Sequence, residues 1–295
     1  MIDLKQAVVE INEILEAKRK ELKLTFEEES HTYTMLDKNG ILHNNWVSVS
    51  GVVDEFYENF NAFEKATQMS RGDDNIRDNL LHEWSLKGSY ATNKGSRVHY
   101  ELEKYLVELL GNYKDVRQPL YECDEQQMFD SDKMIIAGKK FIKLMMNRGA
   151  VSLNSEIIMG SPLDNYVGQC DNGWLMLNKT KDNIVLILTD WKTNQKKNFE
   201  IQHYTNNLYP PFDNYPSTAL QHYYIQVSLY GRLFLYMLKG SKWENLKFAG
   251  GVIVLLKDDG EFEEYKIPKL FVDTIMTMDL SPYIKNKKKE EKYYD

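Results

Sequence analysis

Two stretches decide how this chain is read: residues 168–171, Gly168-Gln169-Cys170-Asp171, and residues 184–193, Ile184-Val185-Leu186-Ile187-Leu188-Thr189-Asp190-Trp191-Lys192-Thr193. Each is a β-rich run that ends in a carboxylate, and the second carboxylate follows the first by nineteen positions. Adjacent antiparallel strands joined by a short excursion bring Asp171 and Asp190 side by side. Side chains alternate along a strand, so Lys192 shares a face with Asp190.

Around them lie further short β-rich runs at 155–158, 166–170 and 174–177, separated by Gly, Asn and Asp turns. A polar, Pro-containing stretch, 194–217, leads to a long helix at about 218–238 and a last strand at 251–256. Helices precede this block. Residues 3–23 form an amphipathic helix, with Val8, Ile11, Ile14 and Leu15 at helical spacing. Residues 31–50 form a β-hairpin about the turn Asp37-Lys38-Asn39-Gly40. Ser50 or a neighbour caps a helix through 53–60, and 61–93 is helical with loops. A strong helix, 96–110, shows the stripe Val98, Leu102, Leu106, Leu109 and Leu110 and ends at Gly111; another spans 131–147. The expected fold is α/β (α+β), a mixed sheet flanked by helices, with a helical N-terminal half. The order after residue 131 is helix, three strands, helix, strand.

Two carboxylates and a lysine on one face suit phosphodiester hydrolysis. Hard oxygen donors hold Mg²⁺ or Mn²⁺, and a bound cation polarises phosphate and acidifies water. The lysine offers a compact positive charge to the attacking water or to charge building on phosphorus. Asp-x-Lys is also a common surface ion pair, so other residues must carry part of the argument. Ser96 is placed to cap the 96–110 helix, with His99 in its first turn and Glu103 at i+4. His99 is then a candidate metal ligand with Glu103 as an outer orienter, or else a partly buried core histidine. Gln226 and Tyr230 stand at i and i+4 in the long helix, able to hold phosphate or the lysine, or merely to belong to an amphipathic face. Glu156 is an acid inside an apolar strand.

Taken in order, Gly-x-x-x-His, Glu, Gly-x-x-Asp, Asp-x-Lys-Thr and Gln-x-x-x-Tyr resemble the RecB-like branch of the PD-(D/E)xK nucleases. Within that branch the chain looks like the single-domain exonucleases of phages and giant viruses, and like the mitochondrial genome-maintenance exonuclease. The segments His31-Thr32-Tyr33-Thr34 and Val47-Ser48-Val49-Ser50-Gly51 resemble the opening of the viral members. The resemblance runs over about residues 29–267. It implies a PD-(D/E)xK, restriction-endonuclease-like core and a metal-dependent DNA nuclease. His99, Asp171, Asp190 and the Trp191 carbonyl would be metal ligands, and Lys192 the catalytic lysine. Glu156 would be an accessory acid, and Gln226 with Tyr230 the C-terminal motif. Lys94, Ser96, Arg97, Thr193, Lys196 and Lys197 are the candidate substrate-binding residues. Cys170 stands where a proline is expected before the first acid, which costs no ligand. The implied organisation is an N-terminal helix, 1–28, then a single nuclease domain, 29–285. Within it, 29–150 carries His99 and 151–270 is the catalytic αβββαβ core; 286–295 is a charged tail.

Mg²⁺ is the expected cofactor, with Mn²⁺ as substitute. Two cysteines, Cys123 and Cys170, are too few for an iron–sulfur cluster or a disulfide framework. No phosphate-loop motif appears, so no ATP is expected. The expected partner is DNA, single-stranded or with a free end, together with replication or recombination proteins. The 194–217 loop mixes Lys196, Lys197 and His203 with Tyr204, Tyr209, Phe212 and Tyr215, which either meet phosphates and bases or pack on the core. Net charge is −7, which argues against a protein that coats nucleic acid more than against a nuclease with a cation-binding site. No apolar run approaches the roughly 20 residues that span a bilayer, and the N-terminus does not read as a signal peptide. The expected location is cytoplasmic, in the host cytoplasm for a viral protein. A structure-specific endonuclease and a non-catalytic nucleic-acid-binding protein with a nuclease fold are the other functions that fit.

Overall fold

The computed structural model describes residues 3–111, 116, 118, 122–202 and 205–284. Asp3 opens the first helix, α1 (Leu4–Glu21), its carboxylate accepting from the N–H groups of Lys5 and Gln6; Lys18, Arg19 and Lys20 close it, as the helix dipole favours. A small antiparallel sheet follows, β1 (Thr25–Glu27), β2 (Thr32–Leu36) and β3 (Leu42–His43), in the order β1-β2-β3. The expected hairpin is therefore one pair of this three-stranded unit. The segment after it leaves as β4 (Val47–Ser48), which joins the main sheet. Ser48, not Ser50, caps α2 (Val49–Val53) through a bond from the Gly51 N–H, and a 3₁₀ turn ends this segment at Phe56. Residue 60 is thus outside the helix, a correction to the expected extent.

After α3 (Ala62–Ser70) comes α4 (Asp74–Leu110), one unbroken helix of 37 residues capped by Asp73 and ended by Gly111 in the left-handed conformation. The expected start at Ser96 is wrong: Ser96 lies deep inside α4, does not cap it, and His99 is not in a first turn. Leu109, assigned to the apolar stripe, is 42% exposed. The next helix, α5 (Glu125–Asn147), begins six residues earlier than expected, because Asp124 and Gln127 form a reciprocal capping box.

The main sheet contains β4, β5 (Val151–Ser161), β6 (Tyr166–Leu177), β7 (Ile184–Lys192), β8 (Lys247–Leu256) and β9 (Phe262–Lys266). Its order is β4-β6-β7-β8-β9, with β5 on the other edge of β6. β4 runs parallel to β6 and β7 parallel to β8; the other pairs are antiparallel. The runs expected at 166–170 and 174–177 are one strand, and residue 256 does not end the sheet, since β9 pairs with β8. Helix α6 (Ala219–Met237) matches the expected long helix, and α7 (Lys269–Thr277) follows β9. The fold is α+β, a mixed sheet flanked by helices.

Alternation along the strands builds two cores. Leu186, Leu188, Ile253 and Leu255 face α6 and join Ile11 of α1, Val52 of α2 and Phe271 of α7. Trp191, Val252, Val254 and Leu256 face the other way, with Val98, Leu102 and Leu106 of α4 and Phe141 of α5. Burial of these faces outside water is the main stabilising term. The α1 stripe Val8, Ile11 and Leu15 is part of the first core, so α1 is packed into the domain. No helix among the described residues is long and apolar enough to cross a membrane. The 286–295 tail lies outside the described residues.

Candidate metal centre

Sheet topology opens the site. On the edge of β6 opposite β5, β4 takes Tyr166 and Val167, and β7 takes Asn172 to Leu177. Between them, 168–171 has no strand on that side among the described residues. The last β6–β7 pair is Asn172 with Thr189; one step further, the strands part. There the Asp171 carboxylate accepts from the Trp191 N–H at 2.6 Å, occupying the place a backbone carbonyl would take. Asp171 is therefore inside β6 rather than at its end, and it is tied to the residue after Asp190. Gly168 admits the neighbours: a Cβ there would lie 2.6 Å from Val49 and 2.8 Å from the Tyr230 ring.

His99, Glu156 and Asp171 offer donor atoms that all lie within 4.8 Å of one another. His99 Nδ1 stands 3.5 Å from Asp171 Oδ1 and 3.8 Å from Glu156 Oε1. Helix α4 brings His99 onto the sheet where a Cβ on Gly95 would be in ordinary contact, 3.4 Å, with the Thr193 hydroxyl. Glu156 arrives by a local irregularity. The β5 register shifts by one residue between Ser152 and Ser155, and Glu156 itself has φ +50°. A bulge of this kind re-aims a side chain, and the left-handed conformation of a non-glycine residue is strained. Gln169 Nε2 then holds the Glu156 carboxylate, while Gln169 Oε1 is buried without a partner.

Beside this cluster runs a second polar chain. Lys192 Nζ lies 2.7 Å from Asp190 Oδ2 and donates to Gln226 Oε1 at 3.4 Å; Gln226 Nε2 donates to the Tyr230 hydroxyl at 3.0 Å. The ammonium also sits 4.0 Å from the centre of the Tyr223 ring, whose hydroxyl donates to Asn194 at 3.1 Å. Asp190 is 2% exposed. Burial, then the charge of Asp171, push its carboxyl up to about 6 despite Lys192. For Asp171 burial is again the largest influence and would raise the carboxyl. His99, Lys192 and the Trp191 N–H together outweigh it and hold the group below the usual range. Burial would lower Lys192 and His99. The carboxylates facing each outweigh that and keep both protonated well into the alkaline side of their ordinary ranges. Burial also keeps the Tyr230 hydroxyl protonated.

These groups fit a divalent cation. The field of Asp171 and Glu156 that favours a proton on His99 Nδ1 equally favours a metal in its place. Two carboxylates and an imidazole suit Mg²⁺ or Mn²⁺, and the orphaned Gln169 Oε1 is a further hard donor. The converging set is His99, Glu156 and Asp171, which places the Glu156 carboxylate beside two of the expected ligands. Asp190, expected as a ligand, is engaged by Lys192 and adjoins the set through Asp171. The Trp191 ring packs away from the site against Phe141.

Several expected substrate contacts are occupied elsewhere. Arg97 binds the Met128 carbonyl, the Ser131 hydroxyl and Asp132, locking α4 to α5. It points away from the site because α4 is continuous and residue 97 falls on its α5 face. Lys196 pairs with Glu263 of β9 at 3.0 Å, and Lys94 lies 6.0 Å from the centre of the Tyr90 ring. Lys197 is exposed in a short 3₁₀ turn. Ser96 and buried Glu103 line the same cavity as His99. In the 194–217 loop, Phe212 stacks on Phe271 and Tyr215 abuts the same ring, so these aromatics pack on the core. His203 and Tyr204 lie outside the described residues. Gln169 and Tyr223 were missed as site residues. Tyr223 precedes Gln226 by one helical turn, a signal the sequence did contain. No family model and no curated protein sequence matches the chain.

Proposed function

We propose that this chain is a divalent-cation-dependent deoxyribonuclease that hydrolyses phosphodiester bonds. Its substrates in this reading are single-stranded or flapped free DNA ends, met in replication, recombination or repair. The observation that carries the reading is the convergence of His99, Glu156 and Asp171, distant in sequence, next to a buried Asp190–Lys192 pair. A bound Mg²⁺ or Mn²⁺ supplies Lewis acidity to a phosphoryl oxygen and acidifies water. His99, Glu156 and Asp171 would hold it, and the family resemblance would add the Trp191 carbonyl and the oxygen of Asp190 that Lys192 leaves open. Lys192 keeps its proton and places a positive charge against the developing charge on phosphorus. Gln226 and Tyr223 fix the direction of that ammonium, and Tyr230 holds Gln226 in turn. The resemblance of the ordered motifs to RecB-like exonucleases supports DNA as substrate and a free end as the point of attack.

The test is digestion of end-labelled linear single-stranded, flapped and duplex DNA, beside closed circular single strands, in Mg²⁺ and in Mn²⁺. Mononucleotide or short-oligonucleotide release from linear substrates is expected, with loss of at least a thousandfold in rate for Asp190→Asn and Lys192→Gln. Activity that survives excess EDTA, or that both variants retain, overturns the proposal. Cleavage of closed circles would replace exonuclease by endonuclease.

A further inference from the structure

The two carboxylates of the candidate metal centre are each tied at one oxygen. Strand pairing sets them face to face: Ile157 of β5 is partnered with Cys170 of β6 and Ser155 with Asn172, so Glu156 lies across from Asp171. Like charges in opposite positions repel, and here each is held by an uncharged donor. The Trp191 N–H donates to Asp171 Oδ2, and the Gln169 amide donates from Nε2 to Glu156 Oε2. The oxygens near His99 Nδ1 are the other two, Asp171 Oδ1 at 3.5 Å and Glu156 Oε1 at 3.8 Å. Gln169 precedes Asp171 by two positions on the same face of β6, which makes it the diagonal neighbour of Glu156 across the strand pair. Its own Oε1 is buried and makes no hydrogen bond, so the bond to Glu156 is the hydrogen bond that orients the amide.

We infer that Gln169 is a positioning residue that sets which cation the centre accepts, by leaving Glu156 a single available oxygen. The inference rests on the metal-dependent reading above; in the Gly-x-x-Asp motif, residue 169 is one of the unspecified positions. Mg²⁺ demands a compact octahedral shell, whereas Ca²⁺ gathers roughly six to eight oxygens in a flexible one and readily takes both oxygens of a carboxylate. Two carboxylates limited to one oxygen each, together with an imidazole, supply few and fixed donors. That suits the smaller ion, and Mn²⁺ with it. An arginine or lysine at this position could also hold Glu156, but it would cancel the charge a cation needs. An amide orients the carboxylate and leaves its charge intact. Without the amide, Glu156 is free to turn and offer both oxygens, the arrangement Ca²⁺ uses.

The experiment is calorimetric titration of the full chain with Mn²⁺ and, separately, with Ca²⁺. The proteins are the wild type, Gln169→Met, Gln169→Leu, Glu156→Gly, and the double variant of Glu156→Gly with Gln169→Met. Methionine keeps the length of glutamine and lacks its N–H; leucine repeats the test with a different shape. Loss of an orienting partner predicts Mn²⁺ affinity about tenfold lower in Gln169→Met, with Ca²⁺ affinity unchanged or higher, so the preference for Mn²⁺ falls about tenfold or more. In the Glu156→Gly background the same substitution should change Mn²⁺ affinity by less than about twofold, because the group it positions is gone. A general packing defect would instead weaken both ions alike. An Mn²⁺-to-Ca²⁺ preference that both single Gln169 variants keep overturns the inference, as does a wild type that binds neither ion. A tenfold loss that persists in the Glu156→Gly background overturns it too, since Gln169 would then not act through Glu156. The two readings fail separately. A preference that depends on Gln169, without hydrolysis of any DNA, removes the nuclease alone; Mg²⁺-dependent hydrolysis with a preference indifferent to Gln169 removes this role alone.

Discussion

Glu156 places its carboxylate beside His99 and Asp171 from a strained backbone conformation. Its φ of +50° inside β5 is unfavourable for any side chain with a Cβ, and only glycine adopts it freely. The bulge beside it turns the carboxylate towards His99 and Asp171. Glu156→Gly removes both the strain and the donor, so the two effects separate. Thermal or denaturant unfolding of the metal-free variant should show stability raised by about 1 kcal/mol, while Mn²⁺ affinity measured by calorimetry falls at least tenfold. A variant less stable than the wild type would mean that the conformation is not strained. Unchanged Mn²⁺ binding would remove Glu156 from the donor set. This residue also marks where sequence reading stopped. Asp171, Asp190 and Lys192 were legible because strand alternation and a short, dense motif fix their relation. Glu156 entered as an acid in an apolar run, made an accessory by the resemblance, and its place in the cluster was hidden because a one-residue register shift leaves no trace in composition. Gln169 was invisible as a positioning group, because its bond to Glu156 exists only after that shift.

Helix α4 makes the corresponding point for a whole element. Asn93-Lys94-Gly95-Ser96 reads as a turn followed by a cap, and local propensity favours a break there. Tertiary contacts override it. Gly95 approaches Thr193 at the end of β7, and Arg97 binds three groups of α5, so packing on both sides holds the helix through the weak region. The α6 helix and the core of the sheet were legible, whereas β9 and α7 were not: β9 has no clear alternation, and the apolar face of α7, Phe271, Val272 and Ile275, spans little more than one turn. Arg97 belongs to this scale and not to substrate binding. Arg97→Ala should lower stability by about 1–3 kcal/mol through the lost bonds of the guanidinium to α5. The slope of DNA affinity against salt should stay that of the wild type, because no phosphate contact is removed. A slope reduced by about one, with unfolding unchanged, would return Arg97 to the nucleic-acid surface.

In the whole molecule, the two cores are joined at the sheet, and the segment after α2 is fastened to α6 by a stack of Tyr57 on His222, with ring centres 3.7 Å apart and planes 9° from parallel. Tyr57 is itself held by Asp54, and His222 Nε2 lies 2.9 Å from the Ser217 hydroxyl. Burial lowers the His222 pKa to about 4, and its place in the first turn of α6 also disfavours an imidazolium. An unfolded histidine titrates near 6.5, so between that value and about 4 the unfolded chain binds more protons than the folded one. Folding stability from this group is therefore full above pH ~6.5 and declines as pH falls towards ~4. Allowing for partial exposure of the ring, the loss between pH 7 and 5 should be about 1–2 kcal/mol. His222→Phe keeps a ring for Tyr57 and abolishes the titration. Denaturant unfolding of both proteins at pH 7 and pH 5 should show the acid-induced loss shrinking by that amount in the variant. Equal losses in the two proteins would show that the ring titrates alike in the folded and unfolded chain, and that the acid sensitivity of the fold lies elsewhere.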